Sequence, residues 1–307
     1  VFAAEETAQA TDTAAQPQTA DPSVVTTNGI DGWPQASDIS SEAAVVMENT
    51  TNTILYSKNA DEVLFPGSTV KIMTCLLALE NTQLTDEVTM TATGVSGVTD
   101  GGASISSQVD EVFTVEQCLY AIMVASANDI ALQIAEHVGG SVGDRIVIMK
   151  DGFVQQMNTR AQELGCTNTV FTNPTGLPDD NQHTTAHDMA LIMQAAIQNE
   201  SFRTIAAATS YTIPATNKAA ARNLTSKFTM TDTGSTGFYE GCIGGKEGYT
   251  EASGSTLVCA AQRNGMTLIS VVLKGASGQT APDAASILNY GFDQFVTLSL
   301  GDSDFSI

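Results

Sequence analysis

Positive charge is what this 307-residue chain has least of: 12 Lys and Arg stand against 34 Asp and Glu, a formal net charge of −22 at pH 7. A body that acidic repels nucleic-acid phosphates and anionic lipid headgroups, so neither is expected as a partner. Aromatic residues are scarce as well, at 6% with a single Trp, and no apolar run is long enough to span a bilayer. The five cysteines, Cys75, Cys118, Cys166, Cys242 and Cys259, are scattered, odd in number and nowhere arranged as C-x-x-C. That pattern signals neither a zinc cluster nor a disulfide framework, and they read as small core residues. Of the three histidines, only His183 and His187 have metal-like spacing. Thr185 as N-cap with Asp188 three residues on predicts a helix start between them, which parts the two rings; no metal and no cofactor is expected.

The chain does have apolar content, 42% of residues with a mean hydropathy of +0.03, which describes a globular protein. Its length suits about two domains, or one large domain with an insertion. Residues 1–35 are rich in Ala, Thr, Gln, Asp and Pro, and Lys58 is the first basic residue. They read as a disordered leader or linker, and Val1-Phe2-Ala3-Ala4 resembles the tail of a secretory signal, which favours export. From Ala43, AAVVMENTTNTILYSK reads as a hairpin. Pro66-Gly67 breaks the chain before a helix in STVKIMTCLLALE, and helices follow from Thr114, over DIALQIAEHV, RIVIMKDGFVQQMNTRAQEL and AHDMALIMQAAIQN. After residue 205 the pattern turns strand-like, in GCIGGKEGYT, GSTLVCAAQR and MTLISVVLKG, and DAASILNYGFDQF forms a last helix. The expectation is an α+β unit over residues 36–300, followed by a tail, 301–307. One sheet takes strands from both chain ends (a lobe of about 36–65 and 236–300), with a helical region over about 66–235 inserted between them.

Ser68 and Lys71 lie three apart at a helix start, so their side chains share a face. A lysine accepts a proton only if desolvation and neighbouring positive charge lower its pKa, as in a closed cleft. The N–H groups of a helix start favour the anionic transition state of acyl transfer. Taken alone, this spacing is more often a capping Ser beside a solvated Lys. Ser126-Ala127-Asn128 at a helix junction and Lys246-Glu247-Gly248 on a strand-like run add two further pieces, in the order S-x-x-K, S-D-N, K-T-G that marks penicillin-recognising serine enzymes.

With these motifs, FPGSTVKIMT, VEQCLYAIMVASANDIALQIAEHVGG, MNTRAQELGCTNTVFTNPTGL, TTAHDMA and ILNYGFDQF, the chain resembles the D-alanyl-D-alanine carboxypeptidases among the low-molecular-mass penicillin-binding proteins, over roughly residues 40–295. The resemblance implies a β-lactamase/transpeptidase-like fold: a mainly antiparallel sheet flanked by terminal helices, next to an inserted all-helical lobe, with a cleft between the two. It implies Ser68 as nucleophile, Lys71 as its base, Ser126 as proton relay, Asn128 orienting Lys71 or the substrate, and Lys246 holding the relay. The N–H groups of Ser68 and Tyr249 would form the oxyanion hole, with Gly248 leaving room for the peptide. Substrates would be peptidoglycan stem peptides ending in D-Ala-D-Ala, with β-lactams as acylating analogues, on the cell-wall side of a bacterial membrane. Membrane attachment is expected only through segments outside this sequence.

One position departs from the family pattern. Glu247 replaces the Thr or Ser whose hydroxyl donates to the substrate carboxylate. At ~4–5 Å and an effective dielectric of about 20, a lone Glu247 carboxylate would repel that end by about 3–4 kcal/mol. Alternatives are therefore a weak or inactive wall protein that kept the fold, and, less favoured, a β-lactamase. Arg222 loosely matches an arginine that some relatives use for the carboxylate, unless it is an ordinary surface arginine.

Overall fold

The computed structural model describes residues 24–96, 102–139 and 145–298. The run AAVVME forms β1 (Ala43–Glu48), buried at every position because Ala43, Val45 and Met47 face one core and Ala44 and Val46 another. Asn52, at φ +58°, turns the chain into β2 (Ile54–Lys58), which pairs antiparallel with β1 as the hairpin pattern predicts. A 3₁₀ turn, Gly67–Val70, then feeds α1 (Lys71–Asn81).

The inserted segment carries β3 (Glu87–Thr89), α2 (Ala92–Ser96) and β4 (Val112–Thr114), then α3 (Val115–Val124) and α4 (Asn128–Gly139). It continues through α5 (Arg145–Glu163), α6 (Ala186–Ala196), α7 (Glu200–Ala206), β5 (Ser210–Ile213) and β6 (Arg222–Thr225). Thr114 and Gln117 close the predicted capping box on α3, and Thr185 caps α6 by accepting from the Asp188 N–H. This segment is helical apart from two small ribbons, β3–β4 and β5–β6, both too short to register as alternation in the sequence. Last come β7 (Cys242–Thr250), β8 (Gly254–Arg263), β9 (Met266–Gly275) and α8 (Thr280–Gln294).

The main sheet has the order β2-β1-β9-β8-β7, antiparallel throughout, so strands from the two chain ends meet at β1–β9. α6 packs on one face and α8 on the other. That leaves β7 as an edge strand, with alternate N–H groups free of strand pairing.

Residues 24–35, expected within a disordered leader or linker, are packed against the fold. Val25 and Thr27 are buried, Thr26 donates to the Ser57 carbonyl at 2.9 Å, and the Trp33 indole donates to the Leu55 carbonyl at 3.0 Å. Trp33 also packs on Phe295, at 5.0 Å between ring centres. These contacts join residues 24–35 to the β2 side of the sheet, while residues 1–23 and the tail 301–307 lie outside the described residues.

Asp129, buried at the start of α4, fixes the segment leading to it: its Oδ2 accepts from the hydroxyls of Ser104 at 2.8 Å and Ser107 at 2.7 Å, and from the Ser107 N–H at 3.1 Å. Asp129→Ala leaves these donors unpaired and is expected to cost about 2–4 kcal/mol of stability, read by denaturant unfolding.

Candidate functional site

Packing of the loop 173–177 against the 3₁₀ turn Gly67–Val70 builds the centre of the site. The Asn173 carboxamide oxygen accepts from the Thr175 N–H and hydroxyl and from the Gly176 N–H, which curls the loop into a self-braced turn. Gly176 has φ +84°, and a Cβ there would sit 1.9 Å from the Gly67 carbonyl oxygen, so only glycine permits the approach. Thr74 donates to the Pro174 carbonyl at 2.7 Å, tying the loop to α1. On the opposite side β7 lies against Ser68: a Cβ on Gly248 would come 2.6 Å from the Ser68 nitrogen.

Lys71 is fully buried between these pieces. Its ammonium nitrogen lies 3.3 Å from the Ser68 Oγ and 2.8 Å from the Asn128 Oδ1, and also donates to the Thr175 carbonyl. Burial holds this amine well below the usual lysine value, and the Lys246 ammonium lowers it further; the Glu247 carboxylate pulls the other way. The Cys75 thiol, itself buried, is pushed up to about 12 and stays neutral. Asn128 opens α4, and its own N–H is held by the Ala103 carbonyl at 2.8 Å. Ser126 sits between α3 and α4 at φ +56°, a left-handed conformation that costs a non-glycine residue on the order of 1 kcal/mol.

Ser68, Ser126, Asn128, Glu247, Gly248 and Tyr249 line one cleft of about 900 Å³, and Lys71 and Lys246 lie buried beneath it. The Tyr249 side chain is exposed to solvent. Lys246 is placed otherwise than the motif suggested: its nitrogen is bonded to the Glu247 carbonyl at 2.8 Å and to the Glu247 Oε1 at 3.2 Å. Glu247 therefore lines the cleft as expected but is no lone charge. With the ammonium beside it, the repulsion felt by an anion is that of a dipole, well below the 3–4 kcal/mol expected for an isolated carboxylate.

Arg222 is not in the cleft. Its guanidinium forms a two-pronged pair with buried Glu111, at 2.7 and 3.0 Å, and lies over the Phe113 ring. It fastens β6 to the segment before β4, and the pairing partner lies too far away in sequence to be read from it. Thr175 and Gly176, by contrast, were within the quoted FTNPTGL segment; the missing signal was that a backbone carbonyl and a bare Cα are the working parts. The histidines have separate partners, His187 pairing with Asp61 and His183 with the Asn181 carbonyl.

A serine and a buried lysine on one helix start, a second Ser/Asn pair at a helix junction and a buried lysine on an edge strand define a penicillin-recognising active-site serine protein. The D-alanyl-D-alanine carboxypeptidase family matches residues 31–277, and the chain belongs to that family. It is 34% identical over 274 residues to a D-alanyl-D-alanine carboxypeptidase of Bacillus subtilis, covering 86% of this chain and 65% of that relative, so the chain spans about two thirds of that relative's length. A D-alanyl-D-alanine carboxypeptidase of a Streptomyces species is 33% identical, with 83% of this chain and 88% of the relative covered. Among solved structures, the DD-transpeptidase of Streptomyces K15 superimposes with a TM-score of 0.78 at 30% identity, covering 85% of this chain and all of that one.

The charges around Lys71 set a pH dependence whose sign differs between two variants. A Lys71 that acts as base must be neutral, so acylation is expected to rise with pH through its lowered pKa. Lys246→Ala removes a lowering charge and should move the rising limb to higher pH; Glu247→Gln removes a raising charge and should move it to lower pH. Stopped-flow acylation rates from pH 5 to 10 measure the two shifts, and shifts in the same direction would contradict this electrostatic arrangement.

Proposed function

We propose that this chain is a serine D-Ala-D-Ala carboxypeptidase that removes the terminal D-alanine from peptidoglycan stem peptides, acting on the cell-wall side of the membrane and acylated by β-lactams. The observation that carries the reading is the fully buried Lys71, desolvated and 3.3 Å from the Ser68 hydroxyl. Lys71 takes the Ser68 proton as Oγ bonds to the penultimate D-Ala carbonyl carbon. The N–H groups of Ser68 and Tyr249 receive the oxyanion, an interaction worth ~10²–10³ in rate per donor in comparable sites. Ser126 passes the proton to the departing amine, D-alanine leaves, and water attacks the ester with Lys71 again as base. Asn128 and the Thr175 carbonyl hold the Lys71 nitrogen on line, and burial, helped by the Lys246 charge, keeps it deprotonated. The family match and the names of the relatives support the same reaction. They favour it over a β-lactamase, and the complete Ser68, Lys71, Ser126 and Asn128 set favours it over an inactive scaffold.

The test is D-alanine release from a pentapeptide with a free D-Ala-D-Ala end, with intact mass after penicillin treatment as a second readout. The chain should release D-alanine and gain one β-lactam, and Ser68→Ala should do neither. Absence of D-alanine release, or labelling of Ser68→Ala, contradicts the assignment. Lys71→Arg should also lose acylation, since guanidinium stays protonated at every accessible pH.

A further inference from the structure

A carboxypeptidase must recognise a free carboxylate, yet both groups expected to do so are committed elsewhere. The third motif offers Glu247 in place of a hydroxyl, with Oε1 on the Lys246 ammonium and Oε2 buried without a partner among the described residues. Arg222 is held by Glu111 outside the cleft. Lys71 and Lys246 are fully buried and face the reacting serine and the strand carbonyl.

Among the described residues, the remaining cation on the cleft wall is Lys227. It is exposed, and its ammonium, like that of Lys218 outside the cleft, has no hydrogen bond or ion pair among the described residues, whereas Lys58 pairs with Asp38 and Lys274 with Glu42. Its position is built. The next residue, Phe228, is buried and packs on Gly245, where a Cβ would come 2.6 Å from the ring, and Gly245 immediately precedes Lys246. The Phe228 N–H is closed onto the Ser226 hydroxyl at 3.1 Å, so the segment is anchored one residue from Lys227. Thr225 and Thr229 line the cleft on either side of it and bring hydroxyl donors to the same wall. In a chain with seven lysines and a net charge of −22, an unpaired lysine on the wall of the candidate active site is chemically pointed.

We propose that Lys227 is the receptor for the substrate's terminal carboxylate, replacing the hydroxyl of the third motif and displacing the anionic end from Glu247 toward the 225–229 wall. The assignment rests on the carboxypeptidase reading, and it makes Lys227 a specificity-determining residue. A charge-assisted contact of this kind discriminates by about tenfold or more.

The experiment compares kcat/KM for one D-Ala-D-Ala peptide as free acid and as C-terminal carboxamide, in the wild-type chain, Lys227→Ala and Lys227→Arg, at low and high salt. The wild type should favour the acid by about tenfold or more, with the preference shrinking at high salt. Lys227→Ala should lose that preference through KM for the acid, leaving the amide within twofold, and Lys227→Arg should restore most of it. An acid-to-amide ratio unchanged in Lys227→Ala overturns the role of Lys227 while leaving the reaction intact. A wild-type chain that cleaves neither peptide and takes up no penicillin overturns the carboxypeptidase reading itself.

Discussion

Two lysines buried beneath one cleft, Lys71 at the start of α1 and Lys246 on the edge strand β7, are the constraint on which the rest of the site depends. Burying one ammonium costs several kcal/mol unless it is compensated, and a second like charge nearby adds to that cost. The chain meets it unequally. Lys246 is charge-compensated by Glu247, whereas Lys71 is given only neutral acceptors, the Asn128 oxygen and the Thr175 carbonyl. Burial without a carboxylate partner, with the Lys246 charge nearby, lowers the Lys71 amine toward the neutral state that a base beside Ser68 needs.

Backbone, more than side chains, supplies the geometry. Gly176 and Gly248 approach the 67–68 peptide from opposite sides so closely that a methyl group on either would collide with it. The 3₁₀ turn before α1 presents Ser68 and Lys71 on one face, and the edge position of β7 keeps N–H groups available on the cleft side. The left-handed Ser126 bends the α3–α4 junction so that Asn128 can start a helix while its side chain reaches Lys71.

Much of this was legible in the chain's letters, because the signals were local. The β1–β2 hairpin, the caps at Thr114 and Thr185, the helix stop near Gly139 and the sheet assembled from both chain ends all follow from periodicity and short-range capping chemistry. What escaped was long-range or contrary to a local rule. The Arg222–Glu111 pair joins residues 111 apart, which no local pattern encodes. Lys246 and Glu247 are neighbours on a strand and would be expected to part to opposite faces. Their long side chains instead curl round the strand edge to meet at 3.2 Å. The packed residues 24–35 were hidden by composition, since a few well-placed apolar groups such as Val25 and Trp33 suffice to dock a polar segment.

The central claim is that burial lowers the Lys71 amine well below the ordinary lysine value, and a direct titration tests it. With seven lysines in the chain, ¹³Cε-lysine labelling gives a spectrum in which the Lys71 signal is assigned by its loss in Lys71→Arg. The Lys71 Cε shift should titrate well below the usual lysine value of about 10.4, and should titrate higher when Lys246 is replaced by Ala. A Lys71 signal that titrates at the ordinary lysine value, unmoved by Lys246→Ala, would contradict the account.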